Sequence, residues 1–418
     1  MERLPGFRDF YPEPLPHTDV WSSDARQFIF EKWRTVAHRY NFREYDGPPL
    51  EPLELFTTKS GEEIVGQLYN FTDKGERAVS LRPEMTPTLA RMVAAHERNY
   101  KKPLKWFAIP QLFRYERQQK GRLREHFQFN ADIIGEGDAA ADAELIALSI
   151  DTLRAFGLTE KDFVIRLSSR NAWYEFYEGR RQKAEGRNDS ENEYKFFQAI
   201  DKLERTPKEE TEKKLAAFGF SLADVNHFIE SGKPTAELET ILKNLAARGL
   251  GDFVKVDYKV IRGLAYYTGV VFEAFDAKGE FRAIAGGGRY DNLVKLVSGG
   301  KVDLPALGFG MGDVVLLELL AARGLLPKFD ATTDVFVLIE DENLRAPSLK
   351  LIQDLRAVGF AVEYSLTPAK PDKQFKRAQE LKVGFTAKLE SDAYVRIRNF
   401  KTRDEVVAGF ADVANHLR

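Results

Sequence analysis

The chain has 418 residues, the length of two or three ordinary domains, so a sizeable buried core is expected. Hydrophobic residues make up 43% and charged residues 30%, which is typical of an ordered globular protein and excludes a disordered one. The net charge is −2, from 62 basic and 64 acidic residues. A global positive field is therefore absent, and any nucleic-acid partner must be held by a local basic patch.

Three function classes are excluded by what the sequence lacks. The chain has no cysteine, which excludes disulfides, thiolate zinc sites and cysteine nucleophiles. The opening MERLPGFRDFYPEP has no apolar core, so we predict no secretory signal. No run of about 18 apolar residues occurs, so we predict no membrane span and a cytoplasmic α/β protein. The six histidines are dispersed, and we predict no metal site.

The first part of the chain alternates helical and strand-like spacing. Apolar spacing predicts helices over 20–42 and 142–156, the second closed by Gly157. The Gly-Pro-Pro at 47–49 ends any helix before it. Strands are predicted between these helices at 78–82, 106–109, 112–115 and 126–134.

The second part is predicted to be helical first and then a mixture of strands and helices. A tract at about 172–250, dense in Glu, Lys, Arg and Ala, predicts a helical insertion. Strands follow at 253–260 and 268–275, and a glycine-rich region at 285–312 precedes an apolar helix at 314–322. After a linker at 327–333, strands and helices alternate over 334–418, which predicts a small α/β unit with a largely parallel sheet.

The segment HFQFNADII, residues 126–134, alternates like a strand. His126, Gln128, Asn130 and Asp132 would lie on its polar face, opposite Phe127, Phe129, Ala131 and Ile133. A row of amide and carboxylate groups suits the wall of a polar pocket. The other interpretation is a solvated outer face of an antiparallel sheet.

A basic hairpin precedes that strand in FRYERQQKGRLRE, residues 113–125. Five cations crowd the turn at Gly121: Arg114, Arg117, Lys120, Arg122 and Arg124. Guanidinium groups match phosphate oxygens in fork geometry, so the hairpin is a candidate phosphate site. A charged, solvated surface hairpin is the alternative.

Three other segments carry polar groups at strand ends. In LRPEMTP, residues 81–87, Glu84 and Thr86 lie between a strand and a helix, where a carboxylate can receive an ammonium or simply cap the helix. In RGLAYYTGVVFE, residues 262–273, two tyrosines can close a pocket or fill the core. In AGGGRYD, residues 285–291, three glycines allow close approach to a ligand or only a tight turn. No P-loop, HExxH or GxSxG motif occurs.

The order and spacing of these segments resemble histidyl-tRNA synthetase, a class II aminoacyl-tRNA synthetase, along nearly the whole chain. GFRDFYPE is similar to that family's N-terminal signature, and FREYDGPPLE to class II motif 1, with Pro48 at its proline position. KQFKRA, residues 373–378, lies in a unit that resembles the anticodon-binding domain. The resemblance implies an α+β fold with an antiparallel six-stranded catalytic sheet, flanking helices and a homodimer. It divides the chain into a catalytic domain (1–326), with the helical insertion at about 172–250, and an anticodon-binding domain (334–418).

The resemblance also implies an activity and a set of site residues. The reaction would activate L-histidine with ATP, carried as its Mg²⁺ complex, and transfer it to tRNA(His). Arg114, Glu116 and Arg122 would bind ATP, and Arg262 would lie between the histidine carboxylate and the α-phosphate, making Arg114 and Arg262 the catalytic pair. The remaining histidine contacts would be Glu84, Met85, Thr86, Gln128, Asp132, Tyr266, Tyr267 and Tyr290. In the C-terminal unit, the candidates for tRNA contact are Lys373, Lys376 and Arg377, whose alternative is a solvated helix face.

Three positions depart from the family's more familiar form. Ala265 replaces an acid, and Asp132 replaces a glutamate while keeping the charge. The arginine of class II motif 3 should stand near Val315 and is absent, so the residues there give no account of how ATP is held. Two alternatives follow: a non-catalytic regulatory subunit of ATP phosphoribosyltransferase with the same fold, or a class II synthetase for another amino acid. The regulatory subunit typically lacks the C-terminal domain.

Overall fold

A computed structural model of the chain forms two compact units, Met1–Tyr11 with His17–Leu326 (unit 1) and Pro12–Pro16 with Pro327–Arg418 (unit 2). The structure describes residues 2–16, 20–60, 62–115, 121, 123–180, 195–197, 199–200, 203, 206–260, 267–329 and 333–417. Side chains are described throughout these ranges except at 58–64 and 180.

The two longest helices of unit 1 begin at residues whose side chains cap free backbone amides. Ser22 Oγ accepts from Ala25 N at 3.1 Å, and Asp138 Oδ1 accepts from Ala140 N at 2.8 Å. The described helices are α1 Ser23–Arg39, α2 Leu53–Ser60, α3 Thr86–His96, α4 Ala139–Arg154, α5 Arg170–Arg180, α6 Lys208–Ala216, α7 Leu222–Ser231, α8 Ala236–Ala247, α9 Leu293–Val297 and α10 Asp313–Ala322. The predicted helices at 20–42 and 142–156 are confirmed as α1 and α4, with ends shifted by a few residues.

A large sheet forms the body of unit 1. Its strands are β3 Arg43–Glu44, β7 Leu104–Ala108, β8 Gln111–Phe113, β9 Glu125–Ile134, β10 Phe163–Ser169, β11 Val254–Val256, β12 Val270–Asp276, β13 Ala285–Arg289 and β14 Ala306–Gly312. The described order is β11-β10-β12-β13-β14-β9-β7-β3, with β8 paired to β9. The six strands from β10 to β7 are all antiparallel, as predicted, while β11 and β3 add parallel edges.

Smaller elements complete unit 1. A two-stranded ribbon joins β1 Phe10–Tyr11 and β2 Trp21–Ser22, and a three-stranded sheet is built from β4 Leu50–Pro52, β5 Asn70–Thr72 and β6 Ala78–Leu81. α6 to α8 and α5 lie in the tract for which helices were predicted. There the aromatic rings of Trp173, Phe176 and Phe228 pack at centroid distances of 4.6–5.8 Å, so this tract has its own aromatic core.

The sheet settles one alternative left open by the sequence and adds a strand that was not predicted. The glycines at 286–288 do not form a tight turn, because they lie within β13 in the middle of the sheet. The strand β10 was not predicted, although it pairs along its full length with β12. Glycine disfavours strands by itself, so pairing on both sides must hold β13 extended.

Unit 2 is a five-stranded sheet covered by helices. The helices are α11 Arg345–Ala357, α12 Pro371–Glu380 and α13 Val413–His416, and the strands are β15 Val335–Leu338, β16 Val362–Tyr364, β17 Phe385–Leu389, β18 Tyr394–Asn399 and β19 Glu405–Gly409. The order is β16-β15-β17-β18-β19, parallel for the first three and antiparallel for the rest. The prediction of a largely parallel sheet is therefore only half right, because β18 and β19 return as hairpins.

In the described part of the chain, no helix has the length and apolar character that a membrane crossing requires.

Candidate active site

The site is built on a bare patch at the centre of the large sheet. Gly286 and Gly288 of β13 stand directly opposite Gly310 and Gly308 of β14. Residues two apart in a strand share a face, so all four glycines lie on one face of the sheet. We call this patch, residues 286, 288, 308 and 310, the glycine floor. Without side chains of its own, it leaves room for the neighbouring side chains that extend over this face of the sheet.

The polar face of β9 borders the glycine floor. A β-carbon placed on Gly308 would lie 1.9 Å from Asp132 Oδ1, and one on Gly310 would lie 2.6 Å from Gln128 Cδ. These two predicted residues therefore extend over the floor, and only glycine fits beneath them. Asn130 and Asp132 are 6% and 4% exposed, so the alternative of a solvated outer face is wrong.

A tyrosine holds the carboxylate at this border. The Tyr290 hydroxyl donates a 2.5 Å hydrogen bond to Asp132 Oδ1. Burial raises the pKa of Asp132 to about 7, and the Tyr290 hydrogen bond opposes that rise. Tyr267 lies beside the pair: its Cδ1 would be 3.1 Å from a β-carbon on Gly288, and it packs against the cluster that contains Tyr290. Asp132, Tyr267 and Tyr290 thus enclose one end of the floor.

The segment 82–86 connects β6 to α3. Arg82 is buried and donates from Nη1 to Asp46 Oδ1 at 3.1 Å and to the Gly47 carbonyl at 2.6 Å. Met85 is fully buried and precedes the helix, while Glu84 and Thr86 are half-buried on either side of it. The predicted junction is confirmed, with Thr86 as the first helical residue. Its N-terminal end is a place where polar groups can receive a ligand.

The first arginine of the basic hairpin is joined to this turn. Arg114 Nε donates to the Pro83 carbonyl at 3.0 Å, and Arg114 N donates to the Arg124 carbonyl at 2.8 Å. Arg114, the candidate phosphate-binding residue, is therefore fixed to the candidate ammonium-binding turn. Glu116, Arg117, Lys120 and Arg122 lie outside the described residues, as do Arg262, Ala265 and Tyr266.

Sequence reasoning missed a cation beside the position of the absent motif 3 arginine. A β-carbon on Gly121, at the hairpin turn, would lie 3.4 Å from Val315 Cγ2 and 3.5 Å from Arg282 Cδ. The Arg282 side chain thus reaches the same point as Val315, from the segment that leads into β13. An arginine three residues before a strand carries no motif, so only the fold could bring it to attention.

The N-terminal signature is tied into the sheet by a buried ion network. Arg8 donates to Glu125 at 2.6 Å through Nε and to Asp313 at 2.8 Å through Nη1, and all three side chains are buried. Asp313 also accepts from Phe127 N at 3.0 Å. The network fixes the start of β9 against the first turn of α10, which is where Val315 lies. Arg8 therefore has a positioning part in the site.

In unit 2, the three basic candidates are exposed on one helix. Lys373, Lys376 and Arg377 have the spacing of one face of α12, while Gln374 and Ala378 are buried. Gln374 bonds to the Ile339 backbone through Nε2 at 2.6 Å and Oε1 at 2.9 Å. This attachment orients α12 on its sheet and leaves a basic face in solvent.

Comparisons with known proteins agree with this architecture. The family model of histidyl-tRNA synthetase matches residues 19–313, and the anticodon-binding domain model matches residues 334–418. A protein of Opitutus terrae named histidine–tRNA ligase is 45% identical, covering 97% of this chain and 95% of its own. One of the same name from Thermoplasma volcanium is 35% identical, over 100% and 98% of the two chains.

Solved structures share the fold at lower identity. Histidyl-tRNA synthetase from Nostoc superposes with a TM-score of 0.76 at 22% identity, over 98% of this chain and 99% of the other. A Bacillus halodurans structure titled as an ATP phosphoribosyltransferase regulatory subunit/histidyl-tRNA synthetase gives 0.72 at 21%, over 93% and 99%. At this identity the likeness concerns the fold alone.

Proposed function

The chain belongs to the histidyl-tRNA synthetase family, and we propose that the glycine floor is where it activates histidine. The enzyme is a class II histidine–tRNA ligase, which joins histidine to tRNA at the expense of ATP. The observation that carries the proposed site is the position of Asp132 over Gly308, with Tyr290 bonded to the carboxylate.

The amino acid would occupy the end of the floor near Asp132. Histidine differs from other amino acids in a ring with two nitrogens, so its recognition needs hydrogen-bonding groups at a fixed distance. Asp132 and Tyr267 would read the ring, with Tyr266 and Tyr290 beside them. Glu84, Thr86 and Gln128 would receive the ammonium group, while Met85 supports the turn from the core. A site that bonds both ring nitrogens rejects analogues lacking one by ~10⁴-fold or more, and no editing site is then required.

ATP would lie along the floor towards the basic hairpin. The reaction is an in-line attack of a carboxylate oxygen on the α-phosphorus, in which the new P–O bond forms as pyrophosphate leaves. Cations are required because two anions must meet and charge grows in the transition state, where one well-placed donor contributes ~3 kcal/mol. Arg114 would hold the α-phosphate, Arg262 would bridge it to the histidine carboxylate, and Glu116 and Arg122 would contact the adenine and the outer phosphates.

We add Arg282 to this set because its side chain reaches the place of the absent motif 3 arginine. It lies against Val315 below the hairpin turn and would contact the outer phosphates or the adenine. Mg²⁺ would enter bound to the phosphates of ATP, as part of the substrate, and neutralise charge on the outer phosphates.

The partners extend beyond the small molecules. We propose that the acceptor end of tRNA(His) approaches the floor and that the anticodon stem contacts α12 through Lys373, Lys376 and Arg377. The division into a catalytic domain (1–326), a linker (327–333) and an anticodon-binding domain (334–418) is supported by the two compact units. We also propose a homodimer through motif 1, with cytoplasmic location as expected for an enzyme of protein synthesis.

The alternative of a regulatory subunit is less well supported. The full-length relatives are named as ligases, and an anticodon-binding domain model matches the C-terminal unit. Charging of tRNA(His) with radioactive histidine tests the proposal directly. We expect ATP-dependent charging by the full chain and at least a 100-fold loss in Arg114→Ala. Well-folded protein that never charges tRNA would contradict the proposal.

A further inference from the structure

A further tyrosine near Asp132, Tyr45, has no part in the contacts of the site given above. Tyr45 follows β3, and its backbone N–H donates to the Phe107 carbonyl at 2.8 Å. Its ring lies 5.8 Å from that of Trp106, and Trp106 stands directly opposite Asp132 in the pairing of β7 with β9. Tyr45 therefore reaches the same face of the sheet as the glycine floor, beside the carboxylate.

The hydroxyl of Tyr45 is buried without a hydrogen-bond partner among the residues that the structure describes. The ring packs against the cluster of Leu89, Val93 and Tyr290. A buried hydroxyl without a partner costs free energy, so such groups are rare in native proteins and call for an explanation. A phenylalanine would fill the same space without that cost. The hydroxyl is therefore explained if a ligand completes its bonding.

The electrostatic surroundings indicate which partner fits. Burial raises the pKa of Tyr45 well above its usual value, and the nearby charge of Asp132 raises it further. The hydroxyl thus stays protonated and is a donor. The Tyr290 hydroxyl already donates to Asp132, whereas the Tyr45 hydroxyl has no acceptor among the described residues.

Neutral imidazole presents one N–H donor and one nitrogen acceptor. The carboxylate of Asp132 can accept from the N–H but cannot satisfy the other nitrogen. We propose that Tyr45 donates its hydroxyl hydrogen bond to the acceptor nitrogen of the histidine ring. Tyr45 is then a specificity residue: Asp132 accepts from the ring N–H, Tyr45 donates to the other nitrogen, and Tyr267 contacts the ring from the Gly288 side. This inference rests on the proposed function of the glycine floor.

The test compares Tyr45→Phe with wild type on two ring systems. Histidine has both ring nitrogens, whereas β-(pyrrol-2-yl)alanine keeps an N–H and has carbon in place of the acceptor nitrogen. In ATP–pyrophosphate exchange, we expect Tyr45→Phe to raise the KM for histidine about tenfold, the size of one lost hydrogen bond. The KM for the pyrrole analogue should stay within about twofold of the wild-type value. The preference for histidine over the analogue should therefore be about tenfold smaller in Tyr45→Phe than in wild type.

Thermal unfolding supplies a second readout that a merely structural residue would not give. Without ligand, Tyr45→Phe should melt at a higher temperature than wild type, because the unpartnered hydroxyl is gone. With saturating histidine, the stabilisation gained on binding should be smaller than in wild type. Tyr100→Phe is the matched control: its ring also packs on Trp106, at 5.0 Å, but it is 44% exposed. That variant should match wild type in both assays.

The outcomes separate this inference from the proposed function. If wild type exchanges histidine but Tyr45→Phe changes both amino acids equally, or neither, Tyr45 is not a reader of the ring and the inference is wrong. If wild type shows no exchange with histidine, the proposed function fails first. If ligand-free Tyr45→Phe melts lower than wild type, the hydroxyl has a structural partner, which also contradicts the inference.

Discussion

Tyr290, which directly follows β13, donates a 2.5 Å hydrogen bond from its hydroxyl to Oδ1 of Asp132 on β9, in the buried end of the site. The two residues are 158 positions apart in sequence and meet because β14 lies between their strands. A carboxylate in this place needs that donor, since burial alone disfavours its charged form. The bond therefore keeps Asp132 available as an acceptor for a ligand.

Removing the Tyr290 hydroxyl should weaken histidine binding selectively. A hydrogen bond to a charged group contributes about 1.5–3 kcal/mol, so Tyr290→Phe should raise the KM for histidine ~10-fold or more. The KM for ATP should change little. Tyr40→Phe is the control, because Tyr40 donates a 2.7 Å hydrogen bond to Asp151 outside the site. Equal effects of the two substitutions on histidine KM would show that Tyr290 has no special part.

The raised pKa of Asp132, about 7, predicts a pH dependence of binding. Only the ionised carboxylate accepts the ring N–H, so affinity for histidine should rise as the pH increases through about 7. Free histidine titrates near pH 6.5 in the same window. The measured quantity is therefore the histidine affinity of wild type divided by that of Asp132→Asn at each pH. That ratio should increase about tenfold from pH 6 to 8. A flat ratio would remove Asp132 from this role.

The same group has the opposite effect on folding. Its pKa is raised from 3.8 to about 7, so its stabilising contribution is fully present below pH 3.8 and is lost as the pH rises through 7. We expect the free energy of unfolding of Asp132→Asn, relative to wild type, to increase between pH 5 and pH 8. Urea unfolding without ligand measures this difference. A constant difference across the range would contradict the shifted pKa.

A methyl group on the glycine floor should block the site. A β-carbon on Gly308 would lie 1.9 Å from Asp132 Oδ1, so Gly308→Ala must displace that carboxylate. We expect histidine-dependent exchange to fall at least 100-fold while the helical content stays unchanged by circular dichroism. Gly179→Ala, on α5 with no atom within 4 Å of the added carbon, should retain full activity. Normal exchange by Gly308→Ala would show that no ligand uses the floor.

Arg282 should contribute to the grip on ATP. If it contacts the outer phosphates, Arg282→Ala should raise the KM for ATP ~10-fold, because a charge-assisted contact is lost, and leave the KM for histidine nearly unchanged. Lys278→Ala removes an exposed cation from the same β12–β13 connection and serves as the control. The two KM values from initial exchange rates decide the point. If Arg282→Ala and Lys278→Ala changed the KM for ATP equally, Arg282 would not replace the absent motif 3 arginine.

The basic face of α12 should contact tRNA. Replacing Lys373, Lys376 and Arg377 with alanine removes three positive charges, so tRNA binding should weaken. The negative slope of the logarithm of the association constant against the logarithm of the salt concentration should become shallower by about 2. The pyrophosphate exchange rate should not change. Lys350→Ala on α11, which removes a cation paired with Asp354 at 2.8 Å, is the control. An unaltered salt slope in the triple variant would make α12 a merely solvated face.

The sequence predicted those parts of the site that lie within one element. The alternation of 126–134 predicted the polar face of β9, because side-chain direction in a strand follows from position alone. The strand nature of 285–289 was not predictable, since glycine has a low strand propensity and only its neighbours β12 and β14 hold it extended.

Juxtapositions between distant segments were also beyond sequence reasoning. No spacing relates Tyr45 to Asp132, or Arg282 to Val315, because each pair meets only when the sheet is assembled. The resemblance to a family supplied some of these juxtapositions, because it assigned Glu84, Gln128 and Tyr290 to one site. It could not do so for Arg282, which lies outside the motifs that carry the resemblance, or for Tyr45, which lies within motif 1 but has no assigned part in the site there.

The central claim is that the glycine floor activates histidine and no other amino acid. Amino-acid-dependent ATP–pyrophosphate exchange, measured with the full chain across the twenty amino acids, tests it most directly. We predict rapid exchange with histidine and background rates with the other nineteen. Exchange with a different amino acid, or none at all from folded protein, would contradict the account.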